Sequence, residues 1–312
     1  MRSPAPRPYG GALQSAISVL VRDALSVGVN AKLPTNQQYL LDHNIGAGTL
    51  QRALRELHKR QALSTVSRGH LGLYVTELDI ASAWRAGDLD AVRLVLPPAG
   101  PVEITALQTE VAQAFSILGI PHTVKHLRGG SIRLGLLEDG EADMAVVSAG
   151  ALASSSYPFK SRALGVGTYY GPQRIKVVKR SDDRGKPAVI AIDQESPDHQ
   201  ALTYAEFPPD HGYTFVNIAF PHITCAVLDR RADAGVWHCT PSVIPLDLAG
   251  LNLTNLETPA GLSAWEQTSE AVLVISLARP ELNVVIDELD LTDLAAHQAQ
   301  AIAQDDGLVP VL

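Results

Sequence analysis

Arg128-Gly129-Gly130-Ser131 is the stretch of this sequence best suited to hold an anion. It opens an apolar helical run, Ile132–Leu137, directly after a strand-like segment, His122–His126. The first amides of a helix have no partner inside it and sit at the positive end of its dipole. Glycines there leave donors open to a carboxylate or phosphate, and Arg128 adds charge. Ser196-Pro197 is a second helix start behind a strand, with serine suited to the cap and proline to the first helical position. Ligands of open α/β sheets gather at the carboxyl ends of strands. Those ends supply Pro97, His126 and Ser148 from one α/β unit and Asp193, Trp237 and His238 from another. Tyr169 and Tyr170 fall between the units, where their rings could stack on a ligand. Plainer alternatives stay open: a tight turn at Gly129-Gly130, simple capping at Ser196, core or surface rings at the tyrosines.

Other chemistry is weaker. His222-x-x-Cys225 and His238-Cys239 form a ligand set that zinc accepts, but neighbours on a strand point to opposite faces, so we expect no metal. Nothing resembles a catalytic set: Gly-x-Ser-x-Gly, a phosphate-binding loop and His-Glu-x-x-His are all missing. The expectation is a non-enzyme without a cofactor. An enzyme built around His126, Ser148 and His238 in a binding-protein-like fold is the alternative.

The first 76 residues suit a different partner. They hold nine Lys/Arg against three Asp/Glu, whereas the whole chain of 312 residues carries a net charge of −8. A basic head on an acidic body points to a polyanion. Helical spacing covers Gly11 to Leu25, Asn36–His43 behind Thr35, and Ala47–Arg60; alternating runs cover Ala62–Ser67 and Leu71–Val75 around the turn Arg68-Gly69-His70. Helix, helix, tight turn, helix and hairpin is the order of a winged helix-turn-helix. Such a third helix enters the major groove of double-stranded DNA, with Ala47, Thr49 and Gln51 toward base edges and Arg52 and Arg55 toward phosphates. Thr35 and Gln37 start the second helix, and Arg68, Gly69 and His70 form the wing tip.

The elements beyond are α/β. Residues 1–10 read as a disordered, Pro-rich arm, 11–76 as the DNA-binding domain, 77–90 as a linker, and 91–312 as a two-lobed effector domain. Lobe one takes about 91–180 plus a C-terminal return, and lobe two about 187–265. Two corners echo each other at a distance of 90 residues: Ala142-Asp143 and Ala232-Asp233, each ending a helix and opening a buried strand. No window is apolar enough for a membrane span, and two cysteines make no disulfide framework, so a cytoplasmic location is expected.

Two resemblances agree with this reading. Leu33-Pro34-Thr35, Gly48–Leu57 and Arg68–Val75 resemble the GntR family of bacterial regulators, although Thr35-Asn36-Gln37 replaces its usual Ser-Glu-Arg, and Ala47 and Gln51 stand where it often has Arg. The body, through His126–Arg133, Leu137, Gly140 and Asp143–Ser148, resembles YhfZ-type regulators, whose C-terminal domain is similar to type 2 periplasmic binding proteins. The resemblance implies a transcriptional regulator with a small effector between two lobes; the helix starts suit an anionic one, and the little specificity of a single winged helix calls for a homodimer on two half-sites. A ligand-independent repressor is the further alternative.

Overall fold

The computed structural model describes residues 11–307 except 184 and 243, so the N-terminal arm (1–10) lies outside the described residues. In chain order the elements are α1 (Ala12–Val27), α2 (Asn36–His43), α3 (Ala47–Lys59), β1 (Leu63–Ser67), β2 (Leu73–Leu78), α4 (Ile80–Ala86), β3 (Val92–Leu96), α5 (Val102–Ile117), β4 (His122–His126), α6 (Gly130–Glu138), β5 (Met144–Ser148), α7 (Ala149–Ala153) and β6 (Lys160–Ala163). They continue with β7 (Ile175–Arg180), β8 (Val189–Ile192), α8 (Pro197–Glu206), β9 (Thr214–Asn217), α9 (Ile223–Leu228), β10 (Ala234–His238), β11 (Leu251–Asn255), α10 (Pro259–Thr268), β12 (Ala271–Ile275), α11 (Leu282–Glu288) and α12 (Leu294–Gly307). No helix among the described residues is long and apolar enough to cross a membrane.

The chain divides into two compact units. One takes Met1–Val92, Gln113–Thr123 and Ile275–Asp290. Its core forms where α1 presents Ile17, Leu20, Val21, Ala24 and Leu25 on one buried stripe, against which α3 sets Leu50, Ala53 and Leu57. Thr35 caps α2 in a reciprocal box with Gln38. The hairpin β1–β2 is antiparallel, with a register shift after Ser64. Its second strand starts at Leu73, two residues later than the alternation predicts, because a short 3-10 turn at Gly69–Leu71 takes up the chain. The expected linker contains α4, which lies against α1, where Gln14 donates to the Ala86 carbonyl at 2.8 Å.

Pro280–Ala303 carries a helical pattern in sequence, which places it as a single return of the second domain. The structure breaks it into α11 and α12, and α11 belongs to the first unit. There it packs on α1: Arg22 pairs with Glu281, Asn283 donates to the Ser26 carbonyl at 3.4 Å, and Arg279 both pairs with Glu281 at 2.6 Å and lies 6.0 Å from the Trp84 ring. Glu281 is fully buried, so those two guanidiniums are what make its burial tolerable.

The other unit is a two-sheet α/β domain. Its five-stranded sheets run β4-β3-β5-β12-β6 and β11-β7-β10-β8-β9. Strands β3 and β5 are parallel, as are β8 with β9 and with β10, while β7 runs antiparallel to β10 and β11. Burial on both faces makes β5 and β10 continuously buried rather than alternating. In the second sheet Val177 and Val236 enter one core with Leu202 and Phe207, and Val178 and Trp237 enter another with Ile223 and Val227. Arg162–Gly167 and Arg174–Lys179 read in sequence as two antiparallel-looking runs, but they do not pair with each other. β6 lies in the first sheet and β7 in the second, so the passage between lobes precedes Ile175, not Lys186.

The echoed Ala-Asp corners do the same work in each sheet. Asp143 accepts from the Arg93 amide at 2.8 Å and its own amide donates to the Arg93 carbonyl at 3.0 Å. Asp233 accepts from the Ala188 and Val189 amides, both at 2.9 Å, and its amide donates to the Val189 carbonyl at 2.8 Å. Each aspartate thus ties the start of its own strand to the start of the neighbouring parallel strand, with Arg93 or Arg180 balancing the charge. The amide bonds from Val189 and Ala188 outweigh burial and hold the Asp233 carboxyl below the usual carboxylate range. Replacing Asp143 by alanine removes the acceptor of the Arg93 amide and guanidinium and the tie between β3 and β5. We expect a loss of about 2–4 kcal/mol in urea unfolding, and a smaller loss for Asp143→Asn.

Candidate functional site

The carboxyl ends of strands from the two sheets of the second unit meet through three side-chain pairs. Arg128, just past β4, forms an ion pair with Asp193, just past β8. Ser148, the last residue of β5, bonds Asp198 in the first turn of α8. Glu103, in the first turn of α5, accepts from His238 Nε2 at 2.8 Å, at the end of β10. All six except Arg128 are buried; its side chain keeps 45% of its exposure.

A cation and two aromatic rings support these pairs from behind. Arg133 is only 1% exposed, and its guanidinium donates to the Val146 carbonyl (2.8 Å), the Leu127 carbonyl (2.7 Å) and the Tyr169 hydroxyl (2.8 Å). Tyr170 donates to Asp198 at 2.8 Å, and its ring meets Tyr169 edge-on at 4.8 Å and His238 at 5.1 Å. Burial raises the Asp198 carboxyl, against the pull of the Ser148 and Tyr170 hydrogen bonds and the Arg133 charge. Burial also works to raise Glu103, but the His238 hydrogen bond and charge, with Arg174 beside it, hold it below its usual value. Burial and the Asp198 charge push the Tyr170 phenol far up.

Asp193 is anchored inside its own lobe. It accepts from the Phe220 amide at 2.8 Å and the Glu195 amide at 3.1 Å, and its own amide donates to His199 Nδ1 at 2.9 Å. His199 in turn donates from Nε2 to the Val236 carbonyl at 2.9 Å, so this buried ring is a neutral link between β8 and β10.

The remaining predicted ligand residues fall elsewhere in the unit. His126 Nδ1 donates to the Pro97 carbonyl at 3.1 Å, a backbone tie within one sheet. Gly129 has a φ of +90° and turns the chain into α6, Gly130 lies tightly against Ala151, and Ser131 is exposed. Ser196 caps α8 by accepting from the His199 amide at 3.3 Å. Trp237 lies in the core with Val178 and Ile223, on the face opposite His238, as strand alternation requires. Among the described residues no group of His, Cys, Asp and Glu could hold a metal. A cavity of about 370 Å³ lies beside α12 at Gln298 and Ile302, next to the Glu103 end of the third pair, where Gln298 donates to the Glu103 carbonyl at 2.9 Å.

Sequence reasoning missed Glu103, Arg133, Asp198 and His199. Arg133 carried a signal: it stands four residues before Leu137 on the inward stripe of its helix. The others sit in first turns of helices, where a polar residue reads as a cap.

In the first unit, Ala47, Gln51, Arg52 and Arg55 are exposed on α3, and Thr49, half-buried, accepts from Arg52 at 3.2 Å. Thr35 is engaged in its cap and Gln37 is exposed. At the hairpin tip Arg68, Gly69 and His70 are exposed, with the Arg68 guanidinium 4.4 Å from the centre of the Tyr74 ring.

The family model of the YhfZ C-terminal domain matches residues 79–306. The chain belongs to the YhfZ family. It is 26% identical over 296 residues to the protein YhfZ of Escherichia coli (strain K12), covering 92% of this chain and 94% of that one. The crystal structure of YhfZ from Shigella flexneri aligns with a TM-score of 0.54 at 25% identity, covering 72% of this chain and 94% of that one. A third likeness is weaker: the periplasmic aliphatic sulphonate binding protein SsuA of Escherichia coli, 12% identical, TM-score 0.49, covering 70% of this chain and 76% of its own.

Burial holds the His199 pKa below the ordinary 6.5, despite the opposing pull of the Val236 carbonyl and Asp193. A depressed value means the unfolded chain binds the proton more readily. The stability from neutral His199 is therefore complete above 6.5 and is lost as pH falls through the folded value. Urea midpoints measured from pH 7.5 down to about 5 should fall less steeply in His199→Gln than in the native chain.

Proposed function

We propose that the chain is a DNA-binding transcriptional regulator whose second domain is a receptor for a small ligand between its two lobes. The observation that carries the DNA half is the exposed face of α3, with Gln51, Arg52 and Arg55 directed away from the core that Leu50, Ala53 and Leu57 build. Helix, helix, helix and hairpin, a surplus of positive charge in this segment, and an arginine at the hairpin tip support reading the head as a GntR-like winged helix-turn-helix. Gln51 matches adenine through two hydrogen bonds, and Arg52 and Arg55 neutralise phosphates. A homodimer, placing two heads on two half-sites, supplies specificity that one head lacks.

The receptor half rests on the two-sheet architecture and on polar side chains meeting at strand ends. We read it as binding rather than catalytic because His126, Ser148 and His238 are engaged in three separate contacts, with Pro97, Asp198 and Glu103, and form no relay with one another. A cytoplasmic location goes with this function.

Footprinting on the DNA upstream of the gene tests the proposal. Gln51→Ala should cost about 1–3 kcal/mol of specific binding and relax preference at one base position. Arg55→Ala should weaken binding to all sequences and lower the salt slope by about 1. Equal affinity of the native protein for the upstream fragment and for competitor DNA at moderate salt would sink the reading.

A further inference from the structure

The three contacts between the lobes are unequal. In two of them lobe one supplies the donor and lobe two the carboxyl group: Arg128 takes Asp193, and Ser148 takes Asp198. The groups of lobe one that an acidic ligand would use are thus filled by side chains of the protein itself. Both carboxyl groups are held ready on the lobe-two side, Asp193 by the Phe220 and Glu195 amides and Asp198 by the first turn of α8. The fit around Asp198 is close. A Cβ at position 150 would collide with Asp198 Oδ1 and with the Thr268 side chain, so only glycine permits this approach. Asp198 Oδ1 is buried and has no hydrogen-bond partner among the described residues, which makes this the contact most easily exchanged for a better one.

Resting on the receptor reading above, we propose that Asp193 and Asp198 latch the lobes together by occupying Arg128 and Ser148, and that the effector is a small dicarboxylate that replaces them and opens the lobes. Two acceptor-seeking groups, each filled by one carboxyl group, call for a ligand with two acidic ends. Arg128, half-exposed, is where such a ligand can begin to compete, and Ser148, 1% exposed, becomes accessible once Asp198 withdraws. Ligand action by opening is the reverse of simple closure upon a ligand, and this separates the two experimentally.

The test compares the full-length native chain with Asp193→Asn, Gly150→Ala and Arg128→Gln, using malonate, succinate and glutarate as probes and acetate as the one-ended control. Without added acid, Asp193→Asn and Gly150→Ala should show a larger radius of gyration in X-ray scattering than the native chain. The best dicarboxylate should move the native chain in the same direction. Titration calorimetry should find that acid about tenfold tighter on Asp193→Asn, where the latched fraction is reduced, and much weaker on Arg128→Gln. Circular dichroism checks folding; should Gly150→Ala fail to fold, Asp193→Asn, which keeps an acceptor for the Phe220 amide, carries the comparison. Unchanged scattering and affinity in Asp193→Asn would overturn the latch. So would contraction of the native chain by the acid, or failure of all three acids to bind Asp193→Asn. If the latch behaves as described while footprinting shows no operator, the regulator reading fails and the latch stands. If an operator exists and Asp193→Asn matches the native chain, the latch alone fails.

Discussion

A carboxylate taken out of water must be given partners, and that constraint organises the second unit. Glu103, Asp193 and Asp198 lie buried where the strand ends of two sheets meet. Leaving any one of them bare would cost several kcal/mol. Each has a side-chain donor in the facing lobe, so the sheets approach in a register that brings Arg128, Ser148 and His238 opposite them, and Asp193 has backbone amides of its own lobe besides. The same rule acts at smaller scale in Asp143 and Asp233, which bind the first amides of neighbouring parallel strands. It acts again at Glu281, where α11 meets α1. The acidic excess of this chain is therefore partly structural, since several of its carboxylates are joints.

Much of the fold was legible in residue order. Ile17, Leu20 and Val21 recur at helical intervals, and β5 and β10 are short apolar runs bounded by turns, so their elements could be read directly. Three elements escaped. Five residues of α7 give too little periodicity to register, β11 is interrupted by Asn252, and the apolar residues of α10 are dispersed around Pro259 and Gly261. The break between α11 and α12 was hidden because both halves are apolar and helix-prone, and only packing assigns them to different units.

The candidate site was legible in one respect and opaque in another. Strand ends named Ser148, Asp193 and His238, because geometry puts ligand-facing groups there in any open α/β sheet. Their partners could not be named. Asp198 lies 50 positions from Ser148, and Glu103 lies 135 positions from His238. Such pairs are created by the closure of one sheet on another, which no local pattern encodes. Trp237 failed as a ligand residue for a simpler reason, since it precedes His238 on a strand and takes the opposite face.

The lodging of α11 against α1 has a consequence for how such chains can diversify. The helix completing the core of the N-terminal unit is encoded some 250 residues downstream, after the last strand of the sheet that β12 shares. A gene fragment cut at the linker would yield a head with an uncovered apolar stripe and an unpartnered Arg22. Recombination at that boundary would need a compensating surface on the new partner. The head and the segment it borrows are thus inherited together.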